Sequence, residues 1–400
     1  MIYTFGDYRL DVHAHELRRA GDVVRIEPQV FAVLAYLVEH RDRIVTKEEL
    51  LDHVWATSFV SVSALSSRIK AARQAVGDNG VSQRIIRTSH GVGYRFVAPV
   101  EVLTPTDGNT GSPAREPDAG TPTTQDIRFC RSADGVRIAY ATSGSGPPLV
   151  KTANWLSHLD YDWESPVWRH WLRALSQNHR LIRYDERGSG LSDREPEQLD
   201  LESRLADLAA VVEACELDRF PLMGLSAGAT TSVAYAAQHP ERVSRLILFG
   251  GFAQGRMARA TSAAEKREAE LMVELVAIGW GQDDPAFRRF FTMQFMPEST
   301  PEMWAAFDEL QRRTTTPESA ARLTAATADL DVLEFAPRVQ APTLVVHARG
   351  DRRVPMRYGR ELATLIPGAR FVVLDSPNHI LQEGEPAWPR FLAELTAFLD

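Results

Sequence analysis

Residues 101–125 read EVLTPTDGNTGSPAREPDAGTPTTQ. The run is rich in Pro, Gly, Thr and Asp and almost free of large apolar side chains. It cannot bury enough surface to offset the entropy of ordering it. No single hydrophobic core can be built across such a stretch, so the 400-residue chain is expected to fold as two units. Residues 1–100 form one, residues 126–400 the other, and 101–125 a flexible linker. A flexible 25-mer spans about 25–30 Å, somewhat more with prolines in it.

Beyond the linker, short apolar runs alternate with helical patterns. RIAYAT, PLVKTA, HRLIRYD, FPLMG, SRLILFG, APTLVVHA and ARFVVLD read as strands. VWRHWLRALSQ, LESRLADLAAVVEACEL, ATTSVAYAAQH, MRYGRELATLI and PAWPRFLAELTAFL, which lie between or after them, read as helices. Strand and helix in alternation imply an α/β fold with a mostly parallel sheet covered on both faces. The helical stretch of about 255–335 breaks the alternation and is expected to lie outside the sheet as a cap.

One strand-to-helix junction carries chemistry. In PLMGLSAGATTS, Ser226 sits between Gly224 and Gly228. A serine on so tight a turn needs neighbours without side chains at both ±2 positions. Its hydroxyl is then presented at the start of the following helix, as in a G-x-S-x-G nucleophile elbow. A serine nucleophile needs a base, and the base an orienting acid. Asp351 lies in the loop after PTLVVHA, and His379 in the loop after FVVLD. Both loops fall at the carboxyl edge of the same sheet, where groups from distant segments converge. His347, inside a strand, reads as structural.

These residues resemble the α/β-hydrolase family over about 126–400. YDERGSGLSD (184–193) is similar to its D-x-R-G-x-G-x-S loop, and PERVSRLIL to its strand after the elbow helix. The resemblance implies that Ser226 attacks a carbonyl, His379 moves the proton and Asp351 orients His379. It further implies an oxyanion site with the N–H of Ala227 as one donor. The family usually carries His-Gly after its third strand; here Asn154 takes the glycine position, leaving the N–H of Trp155 as the other donor. Trp155 and Trp163 are expected at a pocket mouth, Trp168 and Trp171 in the core.

The first hundred residues have a different pattern. Short alternating strands precede a helix opened by Pro28. The sequence T-K-E-E at Thr46 is a capping box, and a third helix covers about 61–76. Val62, Leu65, Ile69, Ala72 and Val76 form its apolar stripe; Ser63, Ser66, Ser67, Lys70 and Arg73 fall on the other face. Small hydroxyls beside cations suit a helix laid in a major groove. RIIRTSHGVGYRFVAPV then reads as a hairpin presenting Arg87, His90 and Arg95. E-L-L-D-H-V-W, A-R-Q-A-V-G-D and I-R-T-x-x-G-x-G-Y-R-F together resemble the winged helix-turn-helix domain of bacterial OmpR/PhoB-type regulators, in its CadC-like branch. The resemblance implies an α+β DNA-binding domain over 1–100, acting on double-stranded DNA as a homodimer.

Charge agrees with that division of labour. Residues 1–100 hold 13 Lys and Arg against 11 Asp and Glu, and the remainder 32 against 42, so an anionic polymer should meet the first unit. The two cysteines, Cys130 and Cys215, make neither a disulfide framework nor a metal-ligand spacing. No phosphate loop is visible, and no cofactor or metal is expected. No apolar run approaches the roughly 18 residues of a membrane helix, and MIYTFGDYRLD lacks signal-peptide character; a cytoplasmic protein without membrane contact is expected. Two roles fit these features. One is a carboxylic-ester hydrolase localised or regulated by a DNA-binding domain. The other is a transcription factor whose hydrolase fold senses a small molecule with little or no turnover.

Overall fold

The computed structural model describes residues 2–11, 16–19, 22–24, 26–41, 43–47, 49–50, 62–89, 92–103, 124–155, 157–280, 282 and 285–400. The chain divides into two compact units, Met1–Arg115 and Glu116–Asp400. Most of the expected linker, residues 104–123, lies outside the described residues.

In the first unit, β1 (Ile2–Phe5), β2 (Tyr8–Asp11), β3 (Glu16–Arg19) and β4 (Asp22–Val24) precede α1 (Pro28–Glu39). Then come β5 (Val45–Thr46), α2 (Val62–Ala75), β6 (Ile86–Ser89), β7 (Gly93–Phe96) and β8 (Glu101–Leu103). The strands make an antiparallel sheet in the order β4-β3-β2-β1-β8 and a small one in the order β5-β7-β6. The first unit's sheet thus takes in residues past the expected boundary at 100, because Ile2–Thr4 pairs with Glu101–Leu103. The apolar stripe of α2 is buried at Leu65, Ile69, Ala72 and Val76, in one cluster with Val30, Leu34 and Leu37 of α1. Thr46 accepts the Glu49 N–H at 3.1 Å, half of the expected capping box. The Glu49 carboxylate turns instead to Arg43 and Tyr36, whose hydrogen bonds hold it down at a pKa of about 2. The helix expected to open at Thr46 is present at residues 47, 49 and 50; its continuation with Leu51, Val54 and Trp55 lies outside the described residues.

The second unit opens with β9 (Gln125–Arg131), β10 (Arg137–Ser143), β11 (Pro148–Lys151), α3 (Leu159–Glu164), α4 (Arg169–Gln177) and β12 (Arg180–Tyr184). Next are α5 (Leu201–Ala214), β13 (Phe220–Leu225), α6 (Gly228–Gln238) and β14 (Val243–Phe249). The cap helices are α7 (Ala263–Gly279), α8 (Pro285–Phe295), α9 (Pro301–Thr314) and α10 (Pro317–Asp329). The unit closes with β15 (Thr343–Ala348), α11 (Met356–Leu365), β16 (Arg370–Leu374) and α12 (Ala387–Leu399).

The eight strands run in the order β16-β15-β14-β13-β11-β12-β10-β9. All neighbours from β12 to β16 are parallel, while β10 is antiparallel to both β12 and β9. Each face has its own core. Trp171, Phe249 and Phe391 belong to one; Leu208, Val233 and Leu362 belong to the other. A parallel sheet buried on both faces explains the continuous apolar runs of β13 to β15. Edge strand β9 was hidden in QDIRFCR, which alternates half-buried and exposed residues. Among the described residues no helix is long and apolar enough to cross a membrane.

The parallel strands aim their carboxyl ends at one edge. Ser226 follows β13, residues 250–262 follow β14, Asp351 and Arg353 follow β15, and His379 follows β16. The cap is inserted between β14 and β15, over the same edge.

Candidate active site

Ser226 holds the turn between β13 and α6 with φ +51°, in the left-handed region. Such a conformation costs of order 1–3 kcal/mol for a non-glycine residue, so its surroundings must enforce it. A Cβ on Gly224 would lie 2.5 Å from Ser232 Oγ and 2.6 Å from the Gly228 carbonyl. A Cβ on Gly228 would lie 2.5 Å from the Ala153 carbonyl. Both glycines are therefore required by backbone approach. The Ser226 N–H is anchored on the Phe249 carbonyl at 2.9 Å, and Ser226 remains partly exposed.

His379 Nδ1 lies 2.6 Å from Asp351 Oδ2, with both side chains buried. The other carboxylate oxygen, Oδ1, accepts the Val354 N–H at 2.8 Å. A second imidazole stands behind the acid. His347 is fully buried in β15, its Nε2 bonded to the Val354 carbonyl at 2.7 Å and 3.5 Å from Asp351 Oδ2. Burial lowers the pKa of His347, and a neutral Nε2–H donating to that carbonyl fixes the Asp351 loop. Ser226 and His379 line one cavity with Asn154, Trp155 and Trp168.

The segment after β11 departs from the usual glycine. Asn154 is buried; its Oδ1 accepts from Lys151 Nζ and its Nδ2 donates to the Trp155 carbonyl at 3.2 Å. Burial lowers the Lys151 pKa to about 8, against the attraction of Asp162 and Asp185. Thr152 ties the same segment to the elbow: its Oγ1 lies 3.1 Å from the Met223 and Gly228 carbonyls and 2.9 Å from Ser232 Oγ. Among the described residues, neither the Ala227 N–H nor the Trp155 N–H is donated to a protein acceptor.

The loop 184–193 is held from within. Asp185 Oδ2 accepts the N–H groups of Leu159 and Leu191 at 3.1 and 2.8 Å. Gly190 has φ +57°, and a Cβ there would lie 2.1 Å from that same Oδ2. The buried guanidinium of Arg187 bridges Asp207 and Asp134 at 2.6 Å. This loop braces the site and lines neither cavity at Ser226.

Of the four tryptophans, only Trp163 departs from expectation; Trp168, like Trp171, is in the core. Trp155 lines the cavity and stacks on Phe295 at 5.4 Å. Trp171 is fully buried. Trp163 belongs to the core rather than the pocket mouth, and Trp168 reaches the cavity wall. A second cavity beside Ser226 and Ala227 is lined by Arg256, Arg259 and Arg353. Sequence reading missed these three, which lie in the loops after β14 and β15. Among the described residues no group of three or more His, Cys, Asp or Glu could hold a metal ion.

In the first unit, Ser66, Ser67 and Lys70 are exposed on α2, and Arg87 and Arg95 on the wing. Arg73 departs from the expected exposed face. It is buried, and its guanidinium donates to the Ile86 carbonyl at 2.8 Å and to Thr88 Oγ1 at 2.8 Å. Its long stem carries it over the helix shoulder to fasten the wing. The Ser63 side chain and His90 lie outside the described residues.

Two family models match the chain. One, described as alpha/beta hydrolase fold, covers residues 159–386. The other, described as transcriptional regulatory protein, C terminal, covers residues 21–96. Over 268 residues the chain is 28% identical to a pyrrolizixenacetamide deacetylase of Xenorhabdus hominickii, spanning 66% of this chain and 94% of that protein. Over 103 residues it is 37% identical to the transcriptional regulator HilA of Salmonella typhi, covering 26% of this chain but only 18% of the regulator. Among solved structures, the enol-lactonase of Burkholderia xenovorans LB400 superposes with a TM-score of 0.55 at 25% identity, covering 68% of this chain and 99% of the lactonase.

Proposed function

Because the chain belongs to the α/β-hydrolase fold family and carries a transcriptional-regulator winged-helix domain ahead of it, we propose that it is a DNA-binding serine hydrolase acting on carboxylic esters. The observation that carries the reading is the buried 2.6 Å pair of His379 Nδ1 and Asp351 Oδ2, sharing a cavity wall with a serine held at φ +51°.

The geometry supports the following steps. Ser226 Oγ attacks the ester carbonyl carbon, and its proton passes to His379 Nε2. The carbonyl oxygen becomes an anion that the N–H groups of Ala227 and Trp155 can meet. The C–O bond to the alcohol breaks, and the alcohol leaves with the proton from His379. Water then attacks the acyl-serine, His379 taking its proton and returning it to Ser226 as the acid departs. Throughout, Asp351 holds the Nδ1–H and balances the imidazolium charge. In the first unit, exposed Lys70, Arg87 and Arg95 are the cations that would meet phosphates of double-stranded DNA.

Turnover separates this role from sensing without chemistry. The wild-type protein should hydrolyse short p-nitrophenyl esters, and Ser226→Ala should abolish that activity while keeping the fold. A Ser226→Ala protein working at the wild-type rate would remove Ser226 as the nucleophile.

A further inference from the structure

The cavity that Ser226 shares with Ala227 also has Arg256, Arg259 and Arg353 in its wall. Arg256 and Arg259 come from the loop between β14 and α7, and Arg353 from the loop that holds Asp351. Each is only partly accessible. The Arg353 guanidinium lies 5.2 Å over the Trp155 ring and 5.1 Å over Phe295, and donates to Gln294 Oε1 at 3.2 Å. The Arg259 guanidinium lies 4.1 Å over the Tyr358 ring and donates to the Gln254 carbonyl at 2.8 Å.

Carboxylates to balance these charges are scarce. Arg256 pairs at 3.4 Å with Glu268, whose side chain is 70% exposed; such a pair is worth little in water. Among the described residues Arg259 and Arg353 form no ion pair. Asp351 is already engaged by His379 and the Val354 N–H. Burial and the neighbouring Arg256 lower the Arg353 pKa to about 9, which leaves it charged at neutral pH. Three like charges gathered beside a nucleophile disfavour the empty cavity. Aromatic packing accounts for the planes of Arg353 and Arg259, but methionine or glutamine would pack as well without the repulsion. An oxyanion held in the guanidinium forks offsets it, with the directional paired hydrogen bonds that arginine gives to carboxylates.

We propose that the ligand of this cavity carries a carboxylate, bound among Arg256, Arg259 and Arg353, with the reacting carbonyl at Ser226. The placing of the carbonyl rests on Ser226 being the nucleophile; the anion site rests on the arginines alone. The substrate class is then a half-ester of a dicarboxylic acid, or a comparable acyl compound with a free carboxylate on its acyl half.

The test compares methyl half-esters, from monomethyl succinate to monomethyl sebacate, with alkyl esters of matching length. Monomethyl adipate and methyl hexanoate, for instance, differ only in a carboxylate for a terminal methyl. With the full-length protein, the preferred half-ester should exceed its alkyl partner in kcat/KM by about tenfold or more, the return expected from charge-assisted hydrogen bonds. That preference should shrink in high salt and fall toward unity in Arg256→Gln and Arg259→Gln proteins. Calorimetric binding of the same pairs to full-length Ser226→Ala reads the anion site without chemistry. Hydrolysis of both series with equal or greater preference for the alkyl esters would overturn the anion site and leave the hydrolase standing. Selective binding of half-esters with no turnover of either series would uphold the anion site and sink the hydrolase. Neither binding nor turnover of any half-ester would overturn the anion site.

Discussion

Asp351→Asn tests the proposed mechanism at its least replaceable atom. In the native site Asp351 uses Oδ1 for the Val354 N–H at 2.8 Å and Oδ2 for His379 Nδ1 at 2.6 Å. Asparagine has the same shape, and its one carbonyl oxygen can keep the Val354 bond. Its NH2 then faces His379 Nδ1. An amide NH2 only donates, so Nδ1 must become the acceptor and the imidazole proton moves to Nε2. That is the atom meant to receive the Ser226 proton, so the base is held in the wrong tautomer. In serine hydrolases with the same three roles, this change costs about four decades in turnover, equivalent to about 5.4 kcal/mol of transition-state stabilisation. The assay is kcat/KM for a p-nitrophenyl ester, measured beside Ser226→Ala as the floor, with thermal melting to establish that the fold survives. A folded Asp351→Asn protein losing less than tenfold would refute the assignment of Asp351 as the group orienting His379.

Four further outcomes follow from the geometry. Gly228→Ala places a methyl 2.5 Å from the Ala153 carbonyl and should destabilise the second unit by about 1–3 kcal/mol through overpacking, seen as a lower Tm, with a larger fractional loss of ester turnover as the 152–155 segment is pushed away. Lys70→Ala should lower the slope of log affinity against log salt for duplex DNA by about one without changing stability. Arg73→Ala, by contrast, should loosen the wing, raising hydrogen exchange at the β6 and β7 amides. Asp78 gives an acid limit. Burial acts to raise its pKa, but the N–H groups of Ile86, Ile85 and Asn79 and the Ser82 hydroxyl bring it down to about 2. A folded pKa below the unfolded value near 3.9 contributes stability that is present above about pH 4 and is lost as pH falls toward 2. Acid unfolding of the first unit in that window should be blunted in Asp78→Asn, and an unchanged acid midpoint would contradict it.

What could be read from the sequence depended on how local its cause was. The elbow was legible because its signature, Gly224-x-Ser226-x-Gly228, lies within five residues. The approach that excludes a Cβ at Gly224 comes from the elbow and its own helix, although the one at Gly228 comes from the Ala153 carbonyl of the segment after β11. Asp351 and His379 were legible because a parallel sheet sends every strand's following loop to one edge, so the order of the loops stands in for three-dimensional proximity. Arg73 was misplaced because helical periodicity assigns a residue to a face by its Cα. Position 73 lies on the shoulder between the exposed serines and buried Ala72, and the long side chain there chose the Ile86 carbonyl over solvent. Trp163 was misplaced at the pocket mouth because it joins a core cluster that also takes in residues of the cap and of α12, while Trp168 keeps its expected place in that core and also reaches the cavity wall.

The arginine cluster had no sequence signal of its own. Arg256 and Arg259 are separated from Arg353 by the whole cap, four helices long. They meet because β14 and β15 are hydrogen-bonded neighbours, with Leu246–Phe249 alongside Thr343–Val346. The loops leaving these two strands must therefore start side by side, whatever is inserted between them. The next strand, β16, sends His379 to the same edge, against Gly250, which has φ +59° and where a Cβ would come 2.9 Å from Cε1. The carboxyl edge of the three strands thus brings the proposed catalytic and anion-facing groups together. Gly250→Ala should displace the imidazole from above and lower ester turnover by one to two decades, while the half-ester preference, set by arginines further along the loops, should persist. If the preference vanished together with the rate, the arginines and His379 could not be separable parts of the site.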